Sequence, residues 1–316
     1  MDKEKYIIDN FFLPLADNYE ALQLQNDAAL LKKQNLVVST DMMVEDQHFK
    51  KNHDPKILAK KLLRINLSDI AAMGATPYGF FLNLALPKNN VEEWIKKFSF
   101  GLSDDMKLFD IKLFGGDLSQ SSKIFLSMTI LGKIKNKCHN KNYSKINSDI
   151  YVSGNIGDAP LGFEFSKNFN CLNGSKINKL TLINKFNLPE PRVNIGLRLL
   201  NKVDFCTDIS DGLVREIFRV ANYSKIQANI FIEDLPISVE AKSIINMNEK
   251  KRIFEIILNG GEDYELLFSA RRENRKIIEK IKNIKRIGNF SKGSGLNIYD
   301  KNHQNLNLVK KGFSHF

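Results

Sequence analysis

Residues 35–41 read NLVVSTD, a short β-branched run that closes on three oxygen-bearing side chains. Such a run is the mark of a buried strand. Asp54-Pro55 then supplies an N-cap and a proline at the first helical position, and Leu58, Leu62 and Ile65 recur at helical spacing. This helix is expected to run to Met73, with Gly74 just past its end. Residues 80–86 (FFLNLAL) are strand-like again. Alternation of this kind places the region in the α/β class.

Working outward, Asn90 is expected to cap a second helix carrying Trp94, Ile95, Phe98 and Leu102. Residues 111–114 and 124–130 read as two strands of a hairpin around Gly115-Gly116-Asp117. Residues 135–148 (KNKCHNKNYSKINS) are polar and almost devoid of large apolar groups, which marks a boundary. Beyond it the pattern restarts, with strands expected near 150–153, 203–207, 228–232, 264–270 and 296–299. Helices are expected near 158–166, 175–185, 191–200, 211–222, 238–258 and 273–283. The reading is an α/β (α+β) fold in two units, an N-terminal domain over 1–137 and a C-terminal domain over 138–316.

Composition narrows the function classes. The chain has 316 residues, 43% of them hydrophobic, enough for a real core and against wholesale disorder. Its longest apolar stretches, 78–86 and 124–131, fall short of the about 20 residues that cross a bilayer. Cys138, Cys171 and Cys206 stand too far apart for a disulfide framework or a C-x-x-C knuckle, and the five histidines lack H-E-x-x-H spacing. The start of the chain does not resemble a signal peptide. A soluble, cytoplasmic protein with no membrane partner is expected. The net charge of +11 (47 − 36) would suit a phosphate-rich partner. The basic residues, however, form scattered doublets such as Lys32-Lys33, Lys60-Lys61 and Lys250-Lys251, with no nucleic-acid module, so no nucleic-acid partner is expected.

Acidic residues gather at strand ends and helix starts. Ser39 and Asp41 share one face of their strand, with Thr40 opposite. Oxygen ligands of this type suit Mg²⁺, although a hydrogen-bonded strand end would use the same residues. Asp69, in NLSDIAAMG (66–74), is too far along its helix to be a cap and needs a cation or several donors if buried. Gly115-Gly116-Asp117 reads as a turn, Asp208, Ser210 and Asp211 read as helix caps, and GGEDYEL (260–266) as a turn before a strand. Each motif alone has a structural explanation. Together, Asp27, Asp41, Asp69, Asp117, Asp208 and Asp211 exceed what sheet edges need, and several Mg²⁺ ions holding a polyphosphate explain them in common. There is no P-loop and no kinase G-x-G-x-x-G.

These blocks, with His48-Phe49, DISDGL (208–213) and the terminal GFSHF, resemble the thiamine-monophosphate kinase family across nearly the whole chain. The early blocks are shared with wider relatives, aminoimidazole-ribonucleotide synthetase and selenophosphate synthetase, and GGEDYEL (260–266) and the terminal GFSHF favour the kinase. The resemblance implies an N-terminal α/β domain that dimerises with its twin, a C-terminal α/β domain, and transfer of the ATP γ-phosphoryl to thiamine phosphate. It implies Mg²⁺ ligation by Asp27, Ser39, Thr40, Asp41, Asp69, Asp117, Asp208 and Asp211. It further implies ATP contacts at Phe109, Gly116, Asp117 and Ser210, and thiamine-phosphate contacts at His48, Glu262 and Phe313. Two departures stand out. Gln25-Asn26 replaces the family's Gly-Asp before Asp27, and no arginine occupies the region where the family has one that reaches ATP. Lys141 is there instead, a point charge without the bidentate fork. The rival readings are another ATP-dependent enzyme of the wider group, acting through a phosphorylated intermediate, and a non-catalytic basic binding protein.

Overall fold

A computed structural model describes residues 3–306. The first sheet contains β1 (Ala29–Leu31), β2 (Leu36–Val44), β3 (Thr76–Leu86), β4 (Lys112–Gln120) and β5 (Phe125–Lys133), in the order β1-β2-β5-β3-β4. All neighbours run antiparallel except β3 and β4, which are parallel. The expected hairpin is therefore absent: β4 and β5 both flank β3, and Gly115-Gly116-Asp117 lies inside a strand. Two glycines in a row suggested a turn because the strand that β4 approaches is invisible to local reading.

A short α1 (Lys3–Ile7) precedes this sheet, and α2 (Pro55–Ala72) and α3 (Val91–Leu108) cover its inner face, α2 against β2 and β5 and α3 against α2. The sequence signals for α2 hold. The Asp54 carboxylate accepts from the Lys56 N–H at 2.9 Å, Pro55 opens the helix, and Gly74 follows the end at φ +64°. Asn90 precedes α3 as expected but makes no side-chain cap, because its own backbone is left-handed at φ 57°.

The second sheet contains β6 (Ser148–Ser153), β7 (Phe205–Asp208), β8 (Gln227–Phe231), β9 (Leu266–Arg271), β10 (Ile284–Ser291) and β11 (Gly295–Tyr299), in the order β11-β8-β10-β6-β9-β7. Around it run α4 (Asp158–Lys167), α5 (Lys176–Asn187), α6 (Val193–Leu199), α7 (Leu213–Ser224), α8 (Val239–Met247), α9 (Lys250–Asn259) and α10 (Arg275–Ile278). Two expectations fail here. The single helix over 238–258 is broken into α8 and α9. At the break Asn248 is extended, and its side-chain amide donates to Ile244 O at 2.8 Å, satisfying an end carbonyl that a continuing helix would use. The helix near 273–283 shrinks to α10, and β10, central to the sheet, was not foreseen. Its register shifts between Arg286 and Gly288, which breaks the two-residue alternation that identifies strands.

The two halves share α2. Its C-terminal half is buried on every side, and Ala71 and Ala72 pack with Tyr151, Leu199, Cys206 and Phe268 of the second half. A helix buried all round is a central one, not a surface cover. It brings Asp69 to the seam between the sheets.

Candidate active site

The seam collects carboxylates from four chain segments. On β2 the pleat turns Ser39, Asp41 and Met43 toward α2 and Thr40 and Met42 outward, as the alternation requires. Ser39 Oγ lies 2.5 Å from Asp69 Oδ2 on α2 and 2.9 Å from the Asp27 carbonyl. Asp208 ends β7 and accepts from Ser68 Oγ at 2.7 Å. Oxygen atoms of Asp27, Asp69 and Asp208 all lie within 4.8 Å of one another. Thr207 Oγ1 is 3.3 Å from Asp27, and the buried Lys141 ammonium pairs with Asp27.

Acids this crowded resist ionisation. Burial, then Glu262, Asp211 and Asp27, lift Asp41 to about 6, with Lys141 opposing. Burial, followed by Asp27, lifts Asp208 to about 8. Asp69 is pushed well above the ordinary carboxylate range by burial and by Asp41, Asp208 and Asp27, and Asp211 is raised chiefly by burial. At Lys141, burial works against the charge, but Asp27 and the other acids outweigh it and its pKa is raised. Asp27 Oδ2 is buried with no hydrogen-bond partner. An all-oxygen donor set, one orphaned carboxylate oxygen and mutual repulsion fit a hard divalent cation such as Mg²⁺.

The opposite wall is the loop 260–265, held against the turn before α7. Glu262 N–H donates to Ser210 O at 2.8 Å, and Tyr264 N–H to Ile209 O at 2.9 Å. Glu262 and Tyr264 adopt φ of 73° and 50°, conformations that cost a non-glycine residue about 1–2 kcal/mol each. Asp263 between them and Glu265 just after them hold the strain. Asp263 accepts from the N–H groups of Gly157 (2.8 Å) and Ala159 (3.1 Å) at the start of α4. Glu265 takes a bidentate fork from Arg192 (2.7 and 2.6 Å) and the Ser153 hydroxyl at 2.5 Å. The loop thus faces two ways, Asp263 and Glu265 into the scaffold, Glu262 and Tyr264 into the cleft.

That cleft, about 710 Å³, is lined by Asp41, Asp69, Asp208, Ser210, Asp211, His48, Glu262 and Tyr264, with Phe163 and Phe186 as aromatic walls. His48 Nδ1 accepts the Val44 N–H at 3.0 Å. Of the residues expected to act together, Asp41, Asp69, Asp208, Ser210, Asp211, His48 and Glu262 converge here, with Asp27, Ser39 and Lys141 beside them. Others do not. Thr40 bonds Met128 O from the outer face of the sheet, and Asp117, exposed on β4 opposite Asn83, shares that outer face. Gly116 lies beside Asp117 in β4. Phe109 ends α3 and lines a larger cavity of about 1240 Å³ with Arg64 and Glu190, apart from the carboxylates. Phe313 lies outside the described residues. Sequence reading missed Ser68, Phe186 and Lys61. Lys61 pairs with Glu262 at 2.5 Å, and its spacing from Ile65 and Asp69 on one helix face was the available signal.

Comparison with known proteins agrees with this layout. Residues 25–134 match the family described as AIR synthase related protein, N-terminal domain. The thiamine-monophosphate kinase of Buchnera aphidicola subsp. Acyrthosiphon pisum is 35% identical over 95% of this chain and 94% of its own length. That of Bacillus subtilis is 32% identical over 92% of each. The structure of AaThiL complexed with AMPPCP and TMP superposes with a TM-score of 0.86 at 26% identity, covering 99% of this chain and 97% of that one.

Proposed function

Because the chain belongs to the thiamine-monophosphate kinase family, we infer that it transfers the ATP γ-phosphoryl to thiamine phosphate, giving thiamine diphosphate and ADP. The observation that carries this reading is the convergence of Asp27, Asp41, Asp69, Asp208 and Asp211 on one cleft, with Glu262 and two aromatic rings at its far side. The carboxylates would hold Mg²⁺, which when bound neutralises charge on the phosphates during in-line transfer. The protein's own share is positioning. Asp41 and Asp69 fix one wall, Ser210 and Asp211 the other, and Glu262 and His48 sit where a thiazolium cation and its pyrimidine have a carboxylate and a polar ring to meet. The acceptor is already a phosphate anion, so transfer needs no general base and is direct.

Further features complete the proposal. We read residues 1–137 and 138–316 as its two domains, and the protein as a cytoplasmic homodimer. The outer face of the first sheet supports the dimer: Phe81 and Phe114 are exposed there and pack edge to face on each other. Thr40 and Asp117 share that face, so their proposed metal role, like the ATP contacts of Gly116 and Phe109, calls for the dimer to bring them to a cleft. Lys141 is proposed to serve ATP, and Phe313 the thiamine end of the substrate. Incubation with ATP, Mg²⁺ and thiamine phosphate, followed by product identification, tests the function. Thiamine diphosphate is expected, and its absence defeats the reading. A ³²P-labelled protein trapped from γ-labelled ATP would defeat direct transfer.

A further inference from the structure

Along α2, Lys61, Ile65 and Asp69 fall at i, i+4 and i+8, and all three line the cleft. At 1.5 Å per residue, Lys61 stands about 12 Å along the helix axis from Asp69. The Lys61 side chain is only 5% exposed. Its ammonium lies 2.5 Å from Glu262 Oε2 and 3.5 Å from the centroid of Phe186, which packs on Phe163 at 5.1 Å. Among the described residues, Glu262 is the only carboxylate within 4.0 Å of Lys61. Burial pulls the Lys61 pKa down and Glu262 opposes the fall, so the charge depends on this partner.

The pair imposes a condition on any ligand that engages Glu262. A ligand bringing only a cation takes the partner of Lys61 and strands a buried ammonium. A ligand bringing only an anion to Lys61 strands Glu262. Opening a buried pair from one side is costly, whereas opening it from both sides is not. A zwitterion does the latter. Thiamine phosphate is one, with a permanent thiazolium joined to a phosphate through a short flexible arm. With its cation at Glu262 and the Phe186 ring, its phosphate faces Lys61 and runs along α2 toward Asp69, the direction that phosphoryl transfer requires.

We propose that Lys61 is a specificity-determining residue: the Lys61–Glu262 pair opens for an acceptor carrying both a cation and a phosphate, and selects thiamine phosphate over thiamine. The proposal rests on the kinase reading, so turnover of thiamine phosphate by the wild-type protein is measured first. A wild type that makes no thiamine diphosphate defeats that reading. Given turnover, calorimetric titration compares thiamine phosphate with thiamine, in Mg²⁺ without nucleotide, for the wild type, Lys61→Met and Lys61→Arg. Lys61→Met is expected to weaken thiamine phosphate about 30-fold while thiamine stays within about threefold or tightens, and Lys61→Arg to recover most of the loss. Equal weakening of both ligands, or no change in either, overturns the role of Lys61 and leaves the kinase reading standing. Should Lys61→Met fail to fold, Lys61→Gln, which keeps a donor toward Glu262 but no charge, carries the same expectations.

Discussion

Two segments of this chain begin with the same word, Gly-Gly followed by an acid, and they have opposite fates. Gly115-Gly116-Asp117 is extended in an edge strand whose every residue is exposed. Gly260-Gly261-Glu262 is a strained turn fixed in the interior seam. What the two have in common is close backbone approach. A Cβ on Gly116 would stand 1.7 Å from Leu82 O of the parallel neighbour, and one on Gly261 would stand 1.8 Å from Ser210 O. A glycine pair therefore reports that something passes near, and says nothing about whether the chain turns. The acids differ for the same reason: Asp117 has solvent on its face, while Glu262 is fixed by the anchored residues beside it.

The inner and outer faces of the sheet give the sharpest contrast. Asp41, Met128, Leu82 and Gly116 form one row across the four strands β2, β5, β3 and β4, with Asp41 on the cleft side. Asp41→Asn is expected to cut turnover about 10³-fold, roughly 4 kcal/mol of transition-state stabilisation, while the protein stays folded. Near-normal turnover in the folded variant would remove Asp41 from the metal set. Next comes stability. Asp263→Ala strips the acceptor from two buried N–H groups and should cost about 3 kcal/mol, lowering the melting temperature by roughly 4–5 °C. Asp117→Ala should move it by less than about 1 °C, since its side chain is exposed. Equal melting temperatures by calorimetry would break the contrast between the two segments.

The exposed strand is tested by assembly. Phe114→Glu, on the outer face of that strand, is expected to convert a dimer to a monomer, halving the mass seen by light scattering. A wild type that is only monomeric at micromolar concentration would sink the dimer itself. The smallest effect concerns pH. Asp41 and Asp208 have folded-state pKa values of about 6 and about 8, above the ordinary 3.8. Raised values mean that protonation favours the fold. In metal-free protein this stabilisation is complete below about pH 4 and is lost as pH rises through about 6 and then 8. The melting temperature without divalent metal should thus be a few degrees lower at pH 8 than at pH 5, and Mg²⁺ should erase the difference. Asp208→Asn should flatten the slope and Asp117→Ala should leave it; a slope that survives Asp208→Asn would move the titration elsewhere.

Much of this was legible beforehand. The strand at β2, the capped start of α2 and its glycine end are local signals, and the structure keeps them because no distant contact contradicts them. Asp27, Asp41, Asp69 and Asp208 were legible as an excess of carboxylates, a property of the set rather than of any one motif. What resisted reading was settled by partners far along the chain. β4 beside β3, the bulged β10, and Lys61 opposite Glu262 each depend on a segment that local pattern does not specify. Lys61 is instructive, since a lysine doublet reads as surface charge, and neither member is freely exposed. Lys60, half-buried, bridges Asp104 at 3.1 Å and Asp105 at 3.5 Å against α3, while its neighbour turns into the cleft.

The sharing of α2 bears on how the molecule moves. Kinases built of two lobes commonly close on substrate by rotating about a hinge. Here Ala71 and Ala72 sit in the apolar core of the second half, and the Ser68–Asp208 bond ties the same helix to β7. Swinging the halves apart would drag buried side chains into water, so the architecture trades lobe motion for rigidity. Thermal denaturation should then appear as one cooperative transition rather than two, and substrate access falls to side chains and loops at the cleft mouth.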